Sequence, residues 1–187
     1  MSRYFRYFPQ IKYNDNYVVD ITRRVKVLDN INQNPYGTLP YTVKDGENAE
    51  DIAYHYYGDQ AFVWLVYMAN NIIDPYSQWP MNSEQFNEMI IKKYEEVSGE
   101  TGTDVVNWTL DATTTDNIAY YRNVANTDIL VTKATYTLDP SIVGGEWEPL
   151  RYYDYELLLN DNKRAIYLVN NLYAPQVERE LESLMNG

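Results

Sequence analysis

Two helical patterns that meet at a glycine constrain the fold of this chain more than any other feature of its sequence. Asn48 stands where a helix N-cap belongs, and Asp51 follows three residues later as in a relaxed capping box. Apolar residues in segment 49–56 recur at i, i+3, i+4 and i+7, which gives the first helix one inward face. Gly58 suits the positive φ that ends a helix, and Asp59 is placed to cap the next one. The pattern predicts two short consecutive helices.

Short strands are predicted on both sides of this helix pair. The strand before it is Tyr41-Thr-Val-Lys, and Gln78-Trp-Pro is the candidate for a closing strand. The second helix, from about Gln60 to Asn70, is apolar almost all round its circumference, which indicates burial on more than one side. Three of its residues need a cover from the rest of the chain or from a partner: Phe62, Val66 and Tyr67. A rival interpretation makes Asp45-Gly46 a hairpin turn, but the helical spacing after it favours the helix.

The segment before this module is predicted to be extended. Residues 1–37 alternate aromatic and polar groups and are too few to bury a core of their own. We expect an N-terminal arm that packs either on the module or on a neighbouring subunit. The module itself, residues 38–99, includes a third helix that Asn82 or Ser83 caps and Gly99 ends.

The second half of the chain changes in texture. Residues 100–150 mix Thr, Asp and Asn with β-branched and aromatic residues, which predicts short antiparallel strands with turns near Asp139-Pro140 and Gly144-Gly145. Residues 151–187 predict a helix, a strand over about 163–169 and a final helix after Pro175. The predicted class is therefore α+β: a small βααβ module with an extra helix, an extended N-terminal arm, and a β-rich plus helical C-terminal region.

Charge and composition exclude several kinds of partner. The chain has 27 acidic and 15 basic side chains, and its net charge of −12 repels nucleic-acid phosphates. The absence of cysteine excludes disulfides and thiolate metal sites. The N-terminus lacks the apolar region of a secretory signal, and the longest apolar run, 61–69, has about half the length needed to cross a bilayer. We expect a soluble protein made and kept in a cytoplasm, without a membrane partner.

Tyrosine is the compositional outlier, with 20 residues against four phenylalanines. A tyrosine ring is apolar while its hydroxyl can stay hydrated, which suits surfaces that meet another protein. A tyrosine-rich core with an ordinary surface explains the same count, so both interpretations stay open.

Motifs for catalysis are missing from the sequence. His55 is the single histidine and has no partner at i+4, so a paired-histidine metal site cannot form. No P-loop, dinucleotide fingerprint or nucleophile elbow is present. Carboxylate pairs such as Glu146/Glu148 and Asp154/Glu156 fit solvated faces or turns better than a glycosidase cleft. The sequence predicts no enzymatic activity, no cofactor and no metal.

Motifs at both ends and in the module, in this order and spacing, resemble one family. They are Phe8-Pro-Gln-Ile-Lys-Tyr13, Asp20-Ile-Thr-Arg-Arg24, Asp51-Ile-Ala, Tyr57-Gly-Asp59, Trp64, Asn70-Asn71, Asp74-Pro-Tyr76, Trp79, Tyr155-Glu156, Asn160 and Asn162-Lys-Arg-Ala-Ile166. The chain is similar to the LysM-like baseplate wedge subunits of contractile-tailed, T-even-like bacteriophages.

This resemblance implies a structural role in the virion, in a tail baseplate assembled in the host cytoplasm. Such subunits clamp neighbouring wedges into the ring around the tail hub, contact the paired wedge-core proteins and lie near the sheath initiator. The expected partner-binding residues comprise those of the second helix, given above, and those of the arm: Tyr4, Phe5, Tyr7, Phe8, Arg23 and Arg24. Packing of the arm within its own chain is the alternative.

A second function stays open at this point. Sugar-binding LysM modules grip peptidoglycan or chitin through the loop after the first strand and the loop after the second helix. The corresponding residues here are Asp45, Gly46, Asn70 and Asp74. The rebuilt closing segment at Trp79-Pro80 and the absence of repeated modules argue for the assembly role instead.

Overall fold

The chain forms two structural units, and the computed structural model describes residues 6–22, 36–138 and 146–186. Unit 1 combines the chain up to Pro80 with the chain from Lys163 onward, and unit 2 is continuous from Met81 to Asn162. Helices and strands are both present, which confirms the α+β class. In chain order the elements are β1 (Gln10–Tyr13), β2 (Asn16–Val19), β3 (Thr38–Thr42), α1 (Ala49–Tyr57), a 3₁₀ turn (Gln60–Phe62), α2 (Val63–Ala69), α3 (Pro75–Gln78), α4 (Ser83–Ser98), α5 (Thr103–Leu110), β4 (Ile118–Asn123), β5 (Leu130–Thr132), α6 (Lys133–Leu138), β6 (Trp147–Arg151), α7 (Tyr152–Asn162), β7 (Ala165–Val169) and α8 (Ala174–Asn186).

The helix pair of unit 1 begins and ends where local signals place it. The backbone N–H of Asn48 donates to Asp51 Oδ2 at 3.4 Å, as in a capping box. Gly58 has a φ of 80°, and its N–H donates to the Tyr54 carbonyl at 2.9 Å. Asp59 Oδ1 then accepts the N–H of Ala61 at 2.8 Å and starts the 3₁₀ turn that leads into α2. The predicted caps at these positions are confirmed.

Strand β3 pairs with β7 and not with the segment after α2. The two strands are antiparallel, from Thr38 opposite Val169 to Thr42 opposite Ala165. The prediction of a closing strand at Gln78-Trp-Pro is therefore wrong. The rival hairpin at Asp45-Gly46 is wrong as well, since the strand that pairs with β3 is distant in sequence. The alternation of buried side chains along β7 explains why β3 pairs with this strand, since Ile166 and Leu168 both enter the core. Trp79 contributes only its ring to the packing of the module.

Helix α2 separates two apolar clusters of unit 1. Val66 belongs to the first cluster, which lies between the β3–β7 sheet and α1. Trp64, Leu65 and Ala69 belong to the second, which β7 and α8 cover. The prediction that α2 is buried on more than one side is confirmed, and the cover comes from the C-terminal part of the same chain.

Unit 2 is built around the long helix α4. Asn82 caps it through a reciprocal pair of bonds with Gln85, and Gly99, with a φ of 72°, ends it, as predicted. Its buried face carries Phe86, Ile90 and Tyr94, which pack with Val105 of α5 and with residues of α7. A three-stranded antiparallel sheet in the order β5–β4–β6 completes the unit.

Residues 100–150 contain helices that the sequence analysis missed. The three strands of the sheet match the predicted short strands, but α5 and α6 were not expected. In α5, Val105 and Thr109 lie one helical turn apart, and both are fully buried. Tertiary burial of this face overrides the weak helix propensity of a segment rich in Thr and Val. The predicted turns at 139–140 and 144–145 lie outside the described residues.

The two units also group the elements differently from the four predicted segments. We expected the third helix to belong with the module at 38–99, but α4 lies in unit 2. We expected residues 151–187 to stay together, but α7 lies in unit 2 while β7 and α8 lie in unit 1. The reason is that β7 and α8 supply the missing apolar cover of α2, which nothing in its local sequence specifies.

Candidate protein-contact surfaces

The N-terminal arm is tied to unit 1 at its base. Phe8 is only 5 % exposed and packs in the same cluster as Trp64 and α8. The Tyr7 hydroxyl donates to Glu178 Oε1 at 3.2 Å, and partial burial together with this carboxylate raises the pKa of Tyr7. The base of the arm thus packs on its own chain, as in the alternative to packing on a neighbouring subunit.

Beyond this anchor, strands β1 and β2 form a hairpin with two different faces. Asn14 and Asp15 both have positive φ, as a two-residue turn of the primed type requires. On one face Val19 packs against the Phe8 cluster. On the other, the apolar side chains lie in the open. They are those of Ile11, Tyr13 and Val18, all exposed, and we call this set the hairpin face.

A second exposed apolar pair lies on the turn after α2. Ile73 is 77 % exposed and Tyr76 is 97 % exposed. Gln78 Oε1 accepts the backbone N–H groups of Ile73 at 2.7 Å and Asp74 at 2.8 Å. Asp74 in turn accepts the N–H of Tyr76 at 3.1 Å and the hydroxyl of Ser77 at 2.7 Å. We call residues 70–78 the α2–α3 turn.

Trp79 fixes the end of this turn to the rest of the module. Its indole N–H donates to the Glu47 carbonyl at 3.0 Å, and its ring meets Tyr67 edge to face with centroids 5.9 Å apart. Burial, with smaller contributions from the Glu50 carboxylate and Tyr76, raises the pKa of Tyr67 to about 12. Trp79, in the segment predicted to be a closing strand, therefore anchors the turn through its ring and its indole N–H.

The predicted partner-binding residues of α2 lie mostly inside unit 1. Val66 is fully buried and offers no surface to a partner, so we assign it to the core. Phe62 and Tyr67 are half-buried and pack against the clusters beside α2. Tyr4, Phe5, Arg23 and Arg24 lie outside the described residues.

The polar residues of the carbohydrate alternative make bonds within unit 1. Asp45 pairs with Arg164 at 3.1 Å, and Gly46 has a φ of 74° in the turn that follows β3. Asn70 binds the backbone of Tyr167, and both carboxylate oxygens of Asp74 accept bonds within the α2–α3 turn. These bonds occupy polar groups of Asp45, Asn70 and Asp74, while Asp45, Gly46 and Asp74 are exposed and Asn70 is half-buried.

Two exposed apolar sets, the hairpin face and the pair Ile73/Tyr76, are not among the partner-binding residues predicted from the sequence. For the hairpin a signal was available: Ile11 and Tyr13 alternate with polar residues directly before an Asn-Asp turn. For the turn, Asp74-Pro75 marks a helix start, but the exposure of Tyr76 follows only from the contacts that lock the turn. Tyrosine content alone does not distinguish such residues from core tyrosines such as Tyr94, which is buried.

The charged groups of unit 2 serve its packing. Glu156 is buried and accepts bonds from the Tyr94 hydroxyl at 2.7 Å and Lys93 Nζ at 2.8 Å. Arg122 pairs with Glu148 across β4 and β6 at 2.6 Å. Three further carboxylates line an open depression of about 510 Å³. Its lining residues are Glu100, Asp104, Asn107, Trp108, Leu110 and Asp111.

Metal-ligating clusters and helices able to span a membrane are both absent from residues 6–22, 36–138 and 146–186. Within these ranges no group of three or more His, Asp or Glu side chains is placed to hold a metal ion. None of the helices in the described part of the chain combines the length and apolarity that a bilayer span requires.

Comparison with known proteins decides the family. The family model described as "Base plate wedge protein 53" matches residues 5–133, which is more than half of the chain. The chain belongs to this family. The predicted resemblance to the baseplate wedge subunits of T-even-like phages is thereby confirmed, and with it a structural role in the tail baseplate of the virion.

A relative in Enterobacteria phage T4 agrees with this assignment. Baseplate wedge protein gp53 of that phage is 31 % identical over 65 residues, which cover 35 % of this chain and 33 % of the relative. The alignment thus spans about a third of the relative's length. Neither comparison supports the carbohydrate-binding alternative.

Proposed function

We propose that this baseplate wedge protein clamps adjacent wedges into the ring around the tail hub through protein–protein contacts. Its partners in this role are other wedge subunits, including the paired wedge-core proteins, and it lies near the sheath initiator. Assembly takes place in the host cytoplasm before the tail is complete. The contacts use the hairpin face together with the arm residues Tyr4, Phe5, Arg23 and Arg24.

The observation that carries this proposal is the hairpin face on a firmly anchored base. An isolated two-stranded hairpin is marginally stable in water, so anchoring by Phe8 and Tyr7 is what keeps this one in place. Its outward side chains, Ile11, Tyr13 and Val18, form an apolar surface whose exposure gives no benefit to an isolated monomer. Tyrosine is also enriched among residues that dominate binding energy.

We further propose that unit 1 is a LysM-like module adapted to protein contacts. The order strand, helix, helix, strand in β3, α1, α2 and β7 supports this, as does the antiparallel pairing of β3 with β7. The whole of unit 2 is inserted between α3 and the closing strand. In this proposal the module serves as a rigid base from which the hairpin face is presented.

The test is a triple substitution of the hairpin face, Ile11→Ser, Tyr13→Ser and Val18→Ser, in the full chain. The variant is mixed with the other wedge proteins of the same phage, and rings are counted by negative-stain electron microscopy. We expect the variant to fold but to leave separate wedges. Point substitutions are preferable to removal of the arm, because removal also takes Phe8 out of the core of unit 1.

Leu172→Ser is the matched control, because Leu172 is 80 % exposed in the same unit and lies outside the hairpin face. Far-ultraviolet circular dichroism and thermal unfolding check that both variants keep the native fold. Ring yields from the triple variant that equal those of the control contradict the clamp proposal.

A further inference from the structure

We propose that the α2–α3 turn is a second docking element, whose Ile73 and Tyr76 side chains enter an apolar pocket, rimmed by Lys and Arg, on another baseplate protein. This inference rests on the proposed clamp function and adds a contact site and the chemistry of its partner. A subunit that joins two neighbours needs two separate surfaces, and the hairpin face supplies one of them.

The first observation is the exposure of two large apolar side chains on one turn. Tyr76 is 97 % exposed and Ile73 is 77 % exposed, although they lie only three residues apart. A tyrosine in this position offers a large apolar area at a low cost in side-chain entropy, together with a hydroxyl for one directed hydrogen bond. Such residues are the usual anchors that fill a pocket on the partner.

The second observation is that the turn is ordered before any partner binds. The side chains of Gln78 and Asp74 hold the backbone of residues 73, 74 and 76, and Lys163 Nζ donates to the Ser77 carbonyl at 2.8 Å. Trp79, the residue that follows the turn, is held by its indole N–H, which donates to the Glu47 carbonyl. Preorganisation of this kind lowers the entropic cost of association, because the loop need not be ordered on binding.

The third observation identifies the partner by charge. Trp79 contacts the Tyr67 ring and donates to the Glu47 carbonyl, so the start of α1, where Glu50 is exposed, lies beside the end of the turn. Asp74 adds a second carboxylate, and Lys163, which donates to the Ser77 carbonyl, offsets one of the two charges, so the acidic groups exceed the cation by one. The chain as a whole carries a net charge of −12. Lys and Arg around the partner's pocket complement this rim, and they also steer the encounter.

Binding of full-length variants to wedge complexes tests the inference. The complexes are co-expressed from the other wedge proteins of the same phage, and affinities are measured by biolayer interferometry. We expect Ile73→Ala with Tyr76→Ala to weaken binding by at least ~30-fold without changing Tm. Glu50→Lys is expected to lower the association rate and its dependence on salt. Leu172→Ala is the control and should change the affinity by less than about threefold.

A photo-crosslinking amino acid at position 76 then reports the site that receives the side chain. Crosslinks to a pocket with Lys or Arg at its rim, absent when the same group stands at position 172, support the inference. Affinity unchanged in the Ile73/Tyr76 variant, while the hairpin triple variant fails to bind, overturns this inference alone. Binding unchanged in both variants overturns the clamp proposal as well.

Discussion

The side-chain amide of Asn70 takes the place of a neighbouring strand for the backbone of Tyr167. Asn70 Oδ1 accepts the Tyr167 N–H at 2.7 Å, and Asn70 Nδ2 donates to the Tyr167 carbonyl at 2.8 Å. Two residues along, the Tyr57 hydroxyl donates to the Val169 carbonyl at 2.9 Å. The edge of β7 that faces away from β3 is thus covered by side chains, which protects it from pairing with other chains.

Asn70→Ala is expected to destabilise unit 1 by about 1–3 kcal/mol, because it removes bonds to Tyr167 and to the Val66 carbonyl. Asn70→Asp keeps an acceptor but loses both donors, so we expect it to cost at least as much at neutral pH. Urea unfolding followed by circular dichroism measures both. Asn87→Ala, at an exposed position of α4, should change stability by less than about 0.5 kcal/mol. Equal stabilities for Asn70→Ala and this control contradict the proposal that Asn70 stabilises the edge of β7.

Phe8→Ala is expected to cost about 3–5 kcal/mol, as for a large aromatic side chain removed from a core. Tyr13→Ala, on the hairpin face, should stay within about 0.5 kcal/mol of the wild type because its side chain is already in water. The two variants distinguish the residue that anchors the arm in the core, Phe8, from an exposed residue of the hairpin face, Tyr13. Thermal and urea unfolding provide the comparison, and a stable Phe8→Ala protein counts against the arm as part of unit 1.

In unit 2, Glu156→Ala is expected to cost about 2–4 kcal/mol because it leaves the buried Tyr94 hydroxyl without its acceptor. Glu156→Gln retains an oxygen for that hydroxyl and should cost less. The ordering of the two variants in urea unfolding is the measurement. A Gln variant as unstable as the Ala variant indicates that the ion pair with Lys93 outweighs the bond to Tyr94.

Alkaline pH is expected to destabilise unit 1. Burial, together with the bond to Glu47, raises the pKa of Tyr41 to about 12, and burial raises that of Tyr67 to about 12. The folded state therefore holds these protons more tightly than the unfolded chain, whose tyrosines titrate near 10. Stability from this source is complete below pH 10 and is lost as pH rises from 10 to 12. Tyr67→Phe should make the decline less steep, as equilibrium unfolding at stepped pH can show.

Local signals predicted those parts of the fold that depend on neighbours in sequence. The caps at Asn48 and Asn82 and the helix ends at Gly58 and Gly99 each depend on residues within one turn, and all four are present in the structure. The helical periodicity of α4 likewise identified its buried face through Phe86. These features follow from geometry that the backbone imposes within a few residues.

The pairing of β3 was not predictable in the same way. Trp79-Pro80 is close in sequence and apolar, which favoured it as the closing strand. The strand that pairs with β3 is β7, because its alternating buried residues pack against α1. For the same reason the contact surfaces were only half predicted. The arm was recognised as a contact element, while the exposure of Tyr76 depends on bonds from Gln78 and Asp74 that no periodicity indicates.

The position of β7 and α8 after unit 2 also has a consequence during translation. Every residue of unit 2 is synthesised before Ile166 and Leu168 are, so the residues of its core are all made before those that complete unit 1. Unit 1 must wait with α2 uncovered until its last strand and helix have been synthesised. Until then the apolar residues of α2 lack their cover and are accessible to chaperones and to aggregation.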